Sequence, residues 1–333
     1  MLGIDVDYIF SPSEHNALHD ILSKIKSNPY SEYELFEKEI SSIATSQNIP
    51  DIFKDICFIA KERDSFYKPY IYLKNCPIDN DKPLFDFKSP VESKYKLKKT
   101  FVAEAFLCLF STLNKMHIVR YGLMNNGDAF HDIYPMEDLS NSLSQKSLIS
   151  LGHHQDFPIH FARPRWVHMV SLRNPQQNDV YTTFVRNLDI INSLDHETIK
   201  VIESSIFFTP YDDVTKHGDK GRSLNDADGT QKPIKINNML MYYEGRTKSS
   251  SLEGISALKA LNTAIQNNTK NLKLEDGEFI SFDNETCLHG RNVLNVSDPE
   301  AHKTRWLMKT HCLGSLNHLK DRFMLGNNGV ING

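Results

Sequence analysis

The chain has 333 residues, 40% of them hydrophobic and 24% charged, enough for a substantial buried core and a poor match to a disordered tail or a fibrous repeat. Thirty-eight Lys and Arg stand against 42 Asp and Glu, a net charge of -4 with no basic block to track a phosphate backbone, so nucleic acid is not an expected partner. The most apolar stretch, residues 101–113, is interrupted by Glu104 and falls short of the roughly 20 residues that cross a bilayer. No membrane association is expected. Residues 1–5 carry acid rather than a positive leader, which points to the cytoplasm. The cysteines, at 57, 76, 108, 287 and 312, are odd in number and contain no Cys-x-x-Cys pair, so they read as small core residues.

In chain order, the first 115 residues read as helical. Ser11-Pro12-Ser13-Glu14 offers a cap, a first-turn proline and a capping box, followed by Leu18, Ile21, Leu22 and Ile25 at helical spacing. Comparable patterns run over Tyr33 to Ile43 and residues 101–113. From about Ile118 the texture changes to short β-rich runs at 166–172, 180–185, 206–209, 278–282 and 304–311, bounded by Gly, Pro and Asn. That spacing predicts a sandwich or barrel. A polar stretch, 211–233, is too long for an ordinary connection and reads as a lid, and a helical insert follows at 252–265. The Asn-Gly-rich end, 327–333, is expected to fray. The expected organisation is one catalytic domain, 1–333, with a helical portion 1–117 packed on a β core 118–312.

Two segments carry metal-binding chemistry. In Gly152-His153-His154-Gln155-Asp156 an extended strand puts His154 and Asp156 on one face, able to hold one cation together. In the second segment Phe279 to Asp283 reads as a strand followed by a turn, and His289 beyond it can supply a third ligand from a neighbouring strand. Two imidazoles and a carboxylate on one face of an octahedral ion leave three positions open, as in non-haem Fe(II) oxygenases. Downstream, Arg305, Leu307 and Lys309 share a strand face. Arg305 can grip the far carboxylate of an iron-chelating dicarboxylate with two parallel hydrogen bonds. Lys309, roughly 13 Å further along, can meet a second anion.

Together these segments resemble the Fe(II)- and 2-oxoglutarate-dependent dioxygenases, and within them the clavaminate synthase-like branch that hydroxylates amino acids. The resemblance covers roughly residues 120 to 310. His154-Gln155-Asp156-Phe157-Pro158-Ile159-His160 is similar to the branch's first metal motif, in which a second histidine follows the acid by four residues. Arg163-Pro164, Leu172-Arg173-Asn174-Pro175, Tyr181-Thr182-Thr183, His289-Gly290-Arg291 and Thr304-Arg305-Trp306-Leu307 continue the pattern.

The resemblance implies a distorted double-stranded β-helix, a cupin-like jelly roll that is mainly β with α-helical embellishment. It implies His154, Asp156 and His289 as iron ligands, Arg305 and Thr183 as partners of the 2-oxoglutarate cosubstrate, and dioxygen as oxidant. For the substrate it implies Asn126, within Asn125-Asn126-Gly127, and Ser144 from the adjoining loop. Lys309 stands where relatives usually carry an arginine that holds the substrate carboxylate. Relatives acting on arginine use a pair of aspartates near the insert, whereas Met241 to Arg246 offers only Glu244, which either meets a substrate ammonium or pairs with Arg246. The implied activity is hydroxylation of a free L-amino acid, lysine-like or arginine-like. A carrier- or peptide-tethered amino acid, a zinc-dependent hydrolase and a non-catalytic metal-binding jelly roll are the alternatives. A homodimer or a carrier protein is the macromolecular partner the reading admits.

Overall fold

A computed structural model describes residues 3–210, 230–325 and 327–332, without the side chains of 126, 327 and 328. Two sheets face each other. The larger runs Tyr8–Ile9, Tyr70–Lys74, Phe279–Asp283, Trp166–Arg173, Trp306–Leu313 and His117–Ile118, with His131–Ile133 also paired to the Trp306 strand. The smaller is antiparallel and runs Lys270–Leu272, Asn178–Arg186, Cys287–Val296 and Leu151–His154.

Strand alternation divides the side chains between layers. Val167, Met169, Ile280, Phe282 and Leu307 of the large sheet meet Phe184, Cys287 and Leu272 of the small one in a common core. On its other face the large sheet offers Val170, Leu172, Phe279, Trp306, Met308 and Cys312 to the N-terminal helices. The helix Val102–Leu113 lies at the centre of that layer, buried from Val102 through Ser111. Its Glu104 is tolerated because Lys98 and the Tyr30 hydroxyl partner it. The outer face of the small sheet, through Val185 and Leu288, is covered by Ala257, Leu261, Ala264 and Ile265 of the helix Leu252–Asn268. The capping box forms, with Glu14 accepting from the Ser11 N–H at 2.7 Å and the Ser11 hydroxyl accepting from the Glu14 N–H at 3.3 Å. All five cysteines are buried and free.

Several boundaries differ from the sequence reading. The helical portion 1–117 contributes two strands to the large sheet, and Tyr70-Ile71-Tyr72-Leu73, buried on both faces, pairs with Phe279 to Phe282. Its alternating aromatic and aliphatic residues suit a central strand better than a helix. Residues 327–331 do not fray. They form a strand parallel to Arg120–Tyr121, with Val330 and Ile331 fully buried. The run 206–209 makes only isolated bridges, at Phe207 and Phe208. The insert extends to Asn268. The expected lid, 211–233, lies outside the described residues from 211 to 229. Among the described residues no helix is long and apolar enough to cross a membrane.

Candidate metal centre and substrate cavity

His154 ends the strand Leu151–His154, and His289 is its direct cross-strand partner on Cys287–Val296. Asp156 lies two residues beyond, where the chain leaves the sheet and Phe157 takes a positive φ of 54°. One donor atom from each of His154, Asp156 and His289 lies within 4.8 Å of the others. Asp156 Oδ1 is 3.6 Å from His154 Nε2 and 3.7 Å from His289 Nε2. All three residues are buried.

The surroundings fix the chemistry of these donors. His154 Nδ1–H donates to the Gly152 carbonyl at 2.8 Å, which leaves Nε2 with a lone pair for a cation. The His154 ring stacks on Tyr243, centroids 4.5 Å apart, and His289 packs on Phe282 at 4.7 Å. Burial, with His154 beside it, pushes His289 down to about 4, so its imidazole is neutral at physiological pH. For Asp156, burial opposes ionisation, but the Lys309 ammonium and His289 outweigh it and hold the carboxyl well below its usual range. Lys309 Nζ donates to Asp156 Oδ2 at 2.6 Å and His311 Nε2–H donates to the same oxygen at 2.9 Å. Oδ1 is left toward the imidazoles. Asn284 clamps the backbone of Asp156, accepting from its N–H at 2.8 Å and donating to its carbonyl at 3.0 Å. Two imidazoles and an ionised carboxylate are a donor set that fits a divalent iron or zinc ion.

Two cavities meet at this centre, both lined by His154 and Lys309. One lies between the sheets, against His289, Gly290, Arg291, Thr182 and Arg305. Arg305 is buried, its Nε has no hydrogen-bond partner among the described residues, and burial with neighbouring Arg291 pushes its guanidinium down to about 9. A buried cation without a carboxylate is costly to hold unless an anion joins it. The second cavity is lined by Ser144, Gln155, Phe157, Pro158, Tyr243, Arg246 and His311, among others.

The expected site residues divide accordingly. Arg305, Lys309 and Ser144 line the cavities with the three metal-binding candidates. The Ser144 hydroxyl also accepts from the Lys146 N–H, and its carbonyl is one of several on residues 144–149 that Arg291 pins down. Lys309 differs from expectation in that its ammonium is committed to Asp156. Thr183 is not on the cavity. In the antiparallel register Arg291 faces Thr182 and Gly290 faces Thr183, so Thr182 shares the inner face with His289 and Thr183 points to the outer one. Glu244 meets neither a substrate space nor Arg246, because its carboxylate accepts from the His153 N–H at 2.8 Å and approaches the His153 ring. Asn126 lies in the turn Asn125–Gly127, and its side chain is outside the described atoms.

Sequence reasoning missed His311, Asn284, Thr182, Gln155 and Arg246. His311 was legible, since it continues the alternation of Arg305, Leu307 and Lys309. Gln155 is fully buried with both amide atoms unpartnered among the described residues, which no pattern in the sequence announces.

No family model matches the sequence, and no curated protein sequence matches it. Solved structures do. A structure of asparagine oxygenase in complex with Fe(II), 2S,3S-3-hydroxyasparagine and succinate superposes with a TM-score of 0.82 at 16% identity, covering 98% of this chain and 99% of that one. The non-heme iron oxygenase OrfP in complex with Fe, succinate and (3S)-hydroxy-L-Arg gives a TM-score of 0.79 at 16% identity, covering 97% and 99%. OrfP with Fe and alpha-ketoglutaric acid gives 0.78 at 16% identity, covering 98% and 100%. The chain therefore has the fold of these amino-acid oxygenases along nearly its whole length.

Proposed function

We propose that the chain is an Fe(II)- and 2-oxoglutarate-dependent oxygenase that hydroxylates an unactivated carbon of an L-amino acid. The observation that carries this reading is the meeting of a His154, Asp156 and His289 cluster with a cavity lined by a buried Arg305 that has no carboxylate partner among the described residues. Bound together, iron and 2-oxoglutarate would supply the activation of dioxygen, with succinate and carbon dioxide as by-products. The chain's own residues do the positioning. Arg305 receives the distal carboxylate as a planar fork, with the Thr182 hydroxyl on the same wall. Lys309 and His311 hold Asp156 ionised and aimed, and the Gly152 carbonyl holds the His154 tautomer. Phe157, Pro158 and Tyr243 wall the substrate cavity against bulk water.

On this reading the facing sheets are a distorted double-stranded β-helix, and the chain is a single catalytic unit working in the cytoplasm. A free amino acid is favoured over a carrier- or peptide-tethered one because the asparagine oxygenase and OrfP structures are complexes with 2S,3S-3-hydroxyasparagine and (3S)-hydroxy-L-Arg. A zinc-dependent hydrolase has the same use for the three ligands but none for a dicarboxylate cavity beside them. The test is an anaerobic titration with Fe(II) and 2-oxoglutarate, in which a visible charge-transfer band of the chelated keto acid is expected. Aerobic succinate release should then depend on an added amino acid. Absence of the band and of succinate would overturn the reading.

A further inference from the structure

We propose, on the amino-acid oxygenase reading, that Arg246 is the anion-binding residue of the substrate cavity and receives a carboxylate of the amino acid that enters it. Arg246 is 7% exposed, lines the cavity and has no carboxylate partner among the described residues. Its guanidinium lies 4.4 Å from the centroid of the Tyr243 ring, and Tyr243 in turn stacks on His154, so one continuous stack leads from a metal-binding candidate to the cationic wall. Only one of its five N–H groups is used among the described residues, donating to the Leu143 carbonyl. The fork is held in place by ring and carbonyl, with donors to spare for a carboxylate.

Charge in the cavity has the same sign. Among the described lining residues Asp156 is the sole carboxylate, and both its oxygens are engaged, one toward the imidazoles and one by Lys309 and His311. Glu244 is turned away to His153. A substrate ammonium or guanidinium at this wall would meet Arg246 with no free carboxylate beside it, whereas a carboxylate gains a charge-assisted, bidentate contact. Gln155 adds a buried amide with both polar atoms unpartnered among the described residues, able to accept from the substrate's α-ammonium. The anion has two possible sources, the α-carboxylate common to all amino acids and the side-chain carboxylate of an acidic one.

Anaerobic calorimetry of the full chain with Fe(II) and 2-oxoglutarate tests this, using L-aspartate, L-glutamate, L-asparagine, L-glutamine, L-lysine, L-arginine and their α-amides. Arg246→Gln should weaken the tightest ligand about tenfold or more, and Arg246→Lys should restore part of the loss. The keto-acid charge-transfer band, present in both variants, shows that they are folded with an assembled metal site. If amidating the α-carboxylate weakens binding to wild type but not to Arg246→Gln, that group is the anion. If Arg246→Gln instead erases a preference for aspartate over asparagine, or glutamate over glutamine, the side chain is the anion. Unchanged affinity in Arg246→Gln, or no binding by any carboxylate-bearing member of the panel, overturns the proposal. A missing band in wild type defeats the oxygenase reading alone, because the calorimetric comparison still decides Arg246.

Discussion

Lys309 Nζ lies 2.6 Å from Asp156 Oδ2, so a cation on the large sheet orients a carboxylate carried on the chain that leaves the small one. The contact links the two layers at the centre where the metal-binding candidates converge. Replacing Lys309 by Met removes the charge while keeping much of the length. Fe(II) affinity, measured by anaerobic titration, should fall about 10- to 100-fold, the usual consequence of losing a group that orients a ligand. Unchanged affinity would show that Asp156 is aimed without it.

Arg305 should govern the keto acid and not the metal. Arg305→Ala is expected to raise the dissociation constant for 2-oxoglutarate by about tenfold to a hundredfold, the cost of a lost charge-assisted pair, with Fe(II) binding nearly intact. Arg305→Lys keeps charge but loses the fork and should fall between. Parallel loss of both affinities would remove Arg305 from its role.

The two adjacent threonines make a sharper comparison. Thr182 faces the cavity and Thr183 the outer layer, so Thr182→Val should weaken 2-oxoglutarate binding several-fold and Thr183→Val should not. The reverse order, read by the same titration, would mean the register of the Asn178–Arg186 strand is shifted by one.

Gly290 is required by close approach. A Cβ there would sit 2.7 Å from the Leu151 carbonyl oxygen and 3.0 Å from Thr183 Oγ1. Gly290→Ala should therefore cost about 1–3 kcal/mol in denaturant unfolding and disturb the pairing that brings His289 beside His154. A stability equal to wild type would show that the strands part without cost.

His168 predicts an acid dependence outside the metal centre. It is fully buried, its Nδ1 lies 2.9 Å from the Ser281 hydroxyl, and burial, with Arg63 nearby, pushes it from 6.5 to about 3. Between those values the unfolded chain takes up a proton that the folded chain refuses, so the stabilisation is complete above 6.5 and is lost as the pH falls. The ring alone should lower stability by about 2 kcal/mol between pH 7 and pH 5. In His168→Gln the pH slope of unfolding over that interval should shrink by about one proton, and an unchanged slope would exclude this ring.

Much of the centre was legible because its groups repeat at the period of a strand. His154 and Asp156 are two apart, and Arg305, Leu307 and Lys309 alternate, so a strand assignment places each set on a single side. The helices at 12–22, 33–44 and 102–113 were legible for the corresponding reason at helical period. The strand Tyr70–Lys74 was not, since a short run buried on both faces has no alternation of polar and apolar residues to read.

The amino-acid string by itself determined which residues had the right donor atoms and which of them could share a side within one segment, because local period is a property of neighbours in the chain. Only the tertiary structure decided what met across segments. Cross-strand register put Thr182 rather than Thr183 on the cavity, the bend after His154 turned Asp156 to Lys309 and His311, and the His153 backbone drew Glu244 aside. Those outcomes depend on contacts between residues about 90 to 155 positions apart, and pairing at such separation is set by how two sheets close on one core.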